Sequence, residues 1–268
     1  QGQALTYAFD FGDGTSTGAQ AGATAPHTYA NPGSYTVTVT VTDTSGLTST
    51  DARTVTVTTV APSPPALVGS IANNYSTSTK TSGYITVWKT GGVRAGDLVV
   101  LTLQLGGTAA TGAVSATDAA GNTYTQSATV SDTAGNRLVV LSGVATNSLA
   151  VNDRITATFP SATSYRLSGD EFSGATRLDG AATSTGSGTA YSSGAAPTAG
   201  GNEIAFGAVS IPAGTANPAW AAGWKDLGAQ STGNRYLGRA YRLPVSDAQT
   251  AAGTTTGPWL AAVVTLRP

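Results

Sequence analysis

Valine and threonine alternate along Thr36-Val37-Thr38-Val39-Thr40-Val41-Thr42, and again along Thr54-Val55-Thr56-Val57-Thr58. A period of two sends successive side chains to opposite faces of a strand. Both residue types are β-branched and favour an extended backbone. The valine face then needs a second layer over it, because a half-apolar sheet is not stable alone. Asn31-Pro32-Gly33 and Asp43-Thr44-Ser45-Gly46 supply turns at the ends of the first strand.

The strand pattern continues beyond these repeats. Runs at 83–88, 97–105, 137–141, 154–159, 165–168, 203–211, 236–243 and 259–266 predict strands. Gly91-Gly92, the stretch from Asp118 to Asn122, Gly135-Asn136 and Asn152-Asp153 read as turns between them. No helix of three turns is predicted. The chain is therefore all-β, and its larger part is a β-sandwich, with a jelly roll as one arrangement. Between Thr176 and Gly201 nearly every residue is small or polar. That run predicts a long surface loop or a hydroxyl-rich cover on an edge. Residues 61–66, Ala-Pro-Ser-Pro-Pro-Ala, predict a short semi-rigid linker. The expected domains are thus 1–60 and 67–268.

The first domain carries a motif. Phe9-Asp10-Phe11-Gly12-Asp13-Gly14 is followed by His27-Thr28-Tyr29, then Pro32-Gly33-Ser34-Tyr35-Thr36-Val37, then Val41-Thr42-Asp43. In this order the motifs resemble the PKD (polycystic kidney disease) domain over residues 4–60. Tyr7 stands where many bacterial members carry tryptophan. The resemblance implies a small immunoglobulin-like β-sandwich, found mostly outside the cell as a spacer or binding module. It also implies structural roles for Asp10, Asp13, Gly14, His27 and Tyr29. Read from the residues alone, two aspartates and a histidine could be a metal or acid–base site. Turn closure by the aspartates and packing of the histidine is the competing reading, and it needs fewer partners.

Composition narrows the function. Charged residues are 10% of the chain, against about a quarter in an ordinary soluble domain. There is no cysteine, which excludes disulfides and thiol chemistry. There is no methionine, even at position 1, so a processed or excised piece of a longer chain is expected. No lysine or arginine cluster suits nucleic acid, and no apolar run of about 18 residues suits a membrane span. Histidine is absent after His27, so the larger domain has no serine–histidine–acid triad and no histidine zinc site. Asp170 and Glu171 are its only adjacent acids, and on a strand they point opposite ways. No enzyme is expected.

Binding needs less. Trp220 and Trp224 lie close together outside the clearest strands. They either plug one end of the sandwich or form an exposed surface for sugar, joined by Tyr191 and Tyr236. Trp88 and Trp259 border apolar strands and are expected in the core. Asp118 and Asn122 are calcium candidates, with a plain hairpin turn as the alternative. No other cofactor is implied. The expected protein is a non-catalytic structural or adhesion segment that is extracellular, on a cell surface or on a virion. Its partner is a carbohydrate or a surface protein, with self-assembly possible. The alternatives are a virion or surface-layer subunit, as fibre or decoration, and an accessory module of a secreted polysaccharide- or protein-degrading enzyme.

Overall fold

A computed structural model describes residues 4–58, 64–107 and 111–268. Part of the predicted linker, residues 61–63, lies outside the described residues. The chain divides into two compact units, Gln1–Ala61 and Pro62–Pro268. Among the described residues there is no helix.

The first unit holds β1 (Leu5–Asp10), β2 (Gly33–Asp43) and β3 (Thr48–Val57) in one antiparallel sheet, ordered β1-β2-β3. The alternating runs form β2 and β3 as predicted. The valine face, expected to be fully buried, is not. Val37, Val39 and Val41 are half-buried and Val55 is exposed. The register gives the reason. Asp51 and Arg53 sit directly opposite Val39 and Val37 on β3 and so share that face. They pair at 3.8 Å in solvent. Phe9, Val37, Val39 and Val55 line a shallow depression around this ion pair.

The second unit begins with β4 (Ala66–Ser76), β5 (Lys80–Thr86), β6 (Leu98–Gly106), β7 (Ser115–Asp118), β8 (Thr123–Ser131) and β9 (Arg137–Val144). It continues with β10 (Arg154–Ala162), β11 (Ser164–Ser173), β12 (Arg177–Gly186), β13 (Ala190–Ala196) and β14 (Glu203–Ile211). The last strands are β15 (Ala219–Trp220), β16 (Lys225–Thr232), β17 (Arg235–Val245), β18 (Gln249–Thr254) and β19 (Trp259–Arg267). Three antiparallel sheets result: β4-β11-β6-β9-β8-β7-β10-β5, then β12-β19-β14-β17-β16, then β13-β18-β15. The large sheet curls until its end strands meet. The Trp88 N–H, just past β5, bonds the Ile71 carbonyl on β4, and Asn74 Nδ2 bonds the Tyr84 carbonyl.

Alternation along each strand assigns the cores. On β6, Val99, Leu101, Leu103 and Leu105 point into the curled sheet with Ile71, Ile85, Leu141 and Ile155. Leu98 and Val100 point the other way, with Phe172, and meet Phe206, Leu260 and Val264 of the five-stranded sheet. That sheet is covered on its far side too. Ala205 and Val263 pack under Ala196, Ala251 and Trp224 of the outer layer. Strands buried on both faces read as continuous apolar runs, which is why β14 and β19 were legible. The sandwich therefore has three layers of sheet.

Two expectations change. The hydroxyl-rich run after Thr176 is not a loop. It forms β12 and β13, each an edge strand of its sheet, which matches the edge-cover alternative. Trp88 is not core. It lies beyond the end of β5 and is 73% exposed. Trp259 is buried as expected.

Asp170 and Glu171 do diverge. Asp170 accepts the Ser70 hydroxyl at 2.7 Å and pairs with Arg239 of β17 at 2.5 Å. Glu171 pairs with Lys89 at 2.8 Å and accepts the Arg94 N–H at 2.9 Å. Asp97 lies beside Glu171. Burial, then the hydrogen bond and charge of Glu171, push the Asp97 carboxyl up to about 6.

Two outcomes are expected. Phe206→Ala removes a ring from the layer interface and should cost about 3–5 kcal/mol, read as a lower denaturant midpoint. Asp97 holds its proton more tightly when folded than its ordinary 3.8. Its stabilising contribution is full below about pH 4 and is lost as pH rises through about 6. Asp97→Asn should flatten that fall in melting temperature across this window.

Candidate binding site

The predicted aromatic platform is mostly inside the molecule. Tyr191 is 2% exposed and Trp224 is 9% exposed. Trp220 and Tyr236 are half-buried. The Trp220 and Trp224 rings lie 5.5 Å apart, and Tyr191 meets Trp220 edge-on at 5.6 Å. Both tryptophans press on Gly207 of β14, where a Cβ would lie 2.8 Å from Trp220 and 3.0 Å from Trp224. A residue without a side chain is what lets the rings reach the sheet. Arg242 stacks over Trp224 at 4.9 Å and closes it off. The Tyr191 hydroxyl donates to the Ala219 carbonyl at 3.2 Å, and burial raises its pKa. Tyr191, Trp220 and Trp224 pack between the outer layer and the five-stranded sheet, and Trp220 and Tyr236 keep part of their surface exposed.

The aspartate turns are likewise occupied from within. Asp118 Oδ1 accepts the Ala120 and Asn122 N–H groups, each at 3.0 Å. Its Oδ2 accepts Asn122 Nδ2 at 2.8 Å and the Tyr124 hydroxyl at 2.5 Å. A calcium ion here would have to displace these donors. In the first unit Asp10 accepts the Gly12 N–H at 2.9 Å. Asp13 takes the Thr15 hydroxyl at 2.7 Å and His27 Nε2 at 2.7 Å. Chiefly the Thr15 hydrogen bond holds the Asp13 carboxyl down to about 2. The His27 ring stacks on Phe11 at 4.0 Å, and the Tyr29 hydroxyl donates to the Phe11 carbonyl at 3.0 Å. Gly14 has φ +89°, which suits glycine in that turn. Among the described residues no group of three or more His, Cys, Asp or Glu is placed to hold a metal.

The second unit does carry a concave surface, built from turns rather than from the tryptophans. A groove of about 550 Å³ lies where the β8–β9 turn meets the β12–β13 turn and the loops flanking β14 and β19. Asp132, Thr133, Asn136, Thr185, Ser187 and Arg235 supply its polar lining. Asp132 closes the first turn by accepting the Asn136 N–H and Nδ2, each at 2.8 Å. Asn136 Oδ1 in turn accepts Arg235 Nη1 at 3.3 Å.

Arg235 also lines a second concavity of about 410 Å³, with Thr77, Thr163, Ser164, Arg166 and Thr232. Gly106, at the end of β6, makes room for the Arg235 head. A Cβ there would lie 2.8 Å from Nη1 and 2.5 Å from Ser164 Oγ. Arg166 is 1% exposed. It donates to Gln104 Oε1 at 3.3 Å and to the Thr232 carbonyl at 2.8 Å, and its Nε has no partner. Burial, then the charge of Arg235, lower its pKa to about 10. Neither arginine belongs to any ion pair among the described residues.

No sequence motif marks these residues, which are far apart in the chain. The one available signal was an arginine inside the predicted strand 165–168, between Tyr165 and Leu167. Chemically the surface offers hydroxyls, the amides of Asn136 and Asn234, and two guanidinium groups. Asp132 is the sole carboxylate on either lining, and its oxygens already accept from Asn136. Such a site can hold a ligand but lacks the two opposed acids that glycoside cleavage uses.

Comparisons with known proteins bear mainly on the first unit. A family model described as PKD domain matches residues 1–58. No curated protein matches the chain. A solved structure described as "Structural basis for the promiscuous specificity of the carbohydrate-binding modules from the beta-sandwich super family" is 16% identical, covering 63% of this chain and 84% of that chain, with a TM-score of 0.20. At that TM-score the likeness carries no argument. Residues 1–58 are a PKD-like domain, and the remainder is a larger β-sandwich whose main sheet is nearly closed.

Proposed function

We propose that the chain is a non-catalytic extracellular module whose larger unit binds carbohydrate in the groove shared by Asn136, Thr185, Ser187 and Arg235. The observation that carries this reading is the lining. An open concavity that sets hydroxyls, an amide, one guanidinium and the Asp132 carboxylate beside the apolar surfaces of Ala134, Pro212, Ala213 and Pro258 offers both the hydrogen-bonding groups and the apolar contact that a sugar ring uses. Its volume lies within the range of roughly 300–1,000 Å³ usual for ligand clefts. The PKD-like unit supports display or spacing outside the cell. A chain with so few charges has little long-range steering, so recognition is short-ranged and led by shape.

A second reading rests on Trp88. This side chain is 73% exposed, and Val151, beside the Asn152 N–H that bonds the Val87 carbonyl, is 46% exposed. An isolated aromatic with an aliphatic neighbour suits contact with a partner protein.

Affinity electrophoresis of the full chain through neutral polysaccharides separates the two readings. Ser187→Trp fills the groove from an exposed turn and should weaken retention at least about tenfold. Trp88→Ala should leave retention unchanged. Retention by no polysaccharide, or retention that depends on Trp88 alone, removes the groove reading.

A further inference from the structure

The smaller concavity holds two cations and no anion. Arg166 and Arg235 both line it, and among the described residues neither has a carboxylate partner. The contrast with Arg239, four positions along β17 from Arg235, is informative. Arg239 is also buried, and Asp170 neutralises it. A buried charge ordinarily carries a partner, because desolvation without one is costly. Arg166 instead meets only neutral acceptors, with Nε left over at 1% exposure. A second positive group is brought beside it, admitted by the bare Cα of Gly106. Hydroxyl donors surround the pair at Thr77, Thr163, Ser164 and Thr232. Tyr75, half exposed, stands directly across the β4–β11 ladder from Arg166 and adds an aromatic ring at the rim.

We infer that this concavity receives an oxyanion carried on a sugar, a carboxylate or a sulfate ester, so that the module selects acidic glycans. The inference rests on the carbohydrate reading above and names the class of sugar. A planar guanidinium fork matches both oxyanions in geometry and charge. The bound anion supplies the counter-charge that the protein itself withholds, while the adjoining groove, joined through Arg235, takes the neighbouring neutral part of the chain.

The test uses the full chain and three monosaccharide probes: glucose, glucuronate and glucose 6-sulfate. The Nε–H resonances of Arg166 and Arg235 are followed by NMR. Glucuronate, glucose 6-sulfate or both should move them, and glucose should not. Which acid works identifies the oxyanion. With oligosaccharides of equal length, the acidic chain should bind at least about tenfold tighter than the neutral one in dilute salt, and the advantage should shrink as salt screens it. Arg235→Gln should abolish the preference for the acidic chain, with an unchanged melting temperature showing that the sandwich is intact. Arg166→Lys, which keeps the charge but loses the fork, should reduce the preference as well. Equal binding of neutral and acidic chains, or a preference that survives Arg235→Gln, overturns the inference and leaves the carbohydrate reading standing. Arginine shifts with acidic probes, alongside no retention by neutral polysaccharide, do the reverse.

Discussion

The buried ion pair between Asp170 and Arg239 is the constraint on which the larger unit turns. It crosses from the curled sheet to the five-stranded sheet at 2.5 Å, and Ser70 completes it from a third strand. The surrounding contacts are apolar, and apolar burial is non-directional. Leucine, valine and phenylalanine would tolerate a shift of one sheet over the other far better than a charge pair would. Breaking such a pair from one side leaves an uncompensated buried charge, worth about 3–5 kcal/mol. The pair thus fixes which residue of β11 faces which residue of β17.

The same face of β11 carries the polar seam toward the candidate site. Arg166, Ser168 and Asp170 are spaced by two and point to the five-stranded sheet. Ser168 meets Gln230 at 3.4 Å, and Arg166 reaches the Thr232 carbonyl at 2.8 Å. Locking the seam at Asp170 therefore sets where Arg166 and the β16–β17 turn come together. The concavity lies at the open end of that seam. Among the described residues its arginine lacks the carboxylate that Arg239 has, and the proposed anion site rests on this difference between two buried guanidinium groups on one interface.

Much of the architecture was legible in the chain. The strict valine–threonine alternation became β2 and β3, and the long apolar runs became β6, β14 and β19. Asp10 and Asp13 accept hydrogen bonds within their turns, and the His27 ring stacks on Phe11. What periodicity could not supply was the third layer. Its strands β13, β15 and β18 are short and rich in alanine, serine and glycine, so they carry little hydrophobic pattern. Their burial depends on Trp220 and Trp224 reaching Gly207, a contact between distant segments. Trp88 misled in the other direction, because its apolar neighbours belong to a strand that ends before it. The arginine site was hidden for a related reason. Arg166 and Arg235 lie 69 positions apart, and only the crossing of β11 with the β16–β17 turn joins them.

The near-closure of the eight-stranded sheet has a consequence for behaviour in crowded or dilute solution alike. Where β4 and β5 meet, that sheet offers no long row of unsatisfied N–H and C=O groups to a stranger. The borders that remain in the five-stranded sheet belong to β12 and β16, strands dressed in threonine, serine and glycine with charged residues at their starts. Such borders are poor templates for strand addition. Strand addition to the large sheet is thereby closed off by its topology, whereas the open sheet of the first unit keeps β3 at an edge.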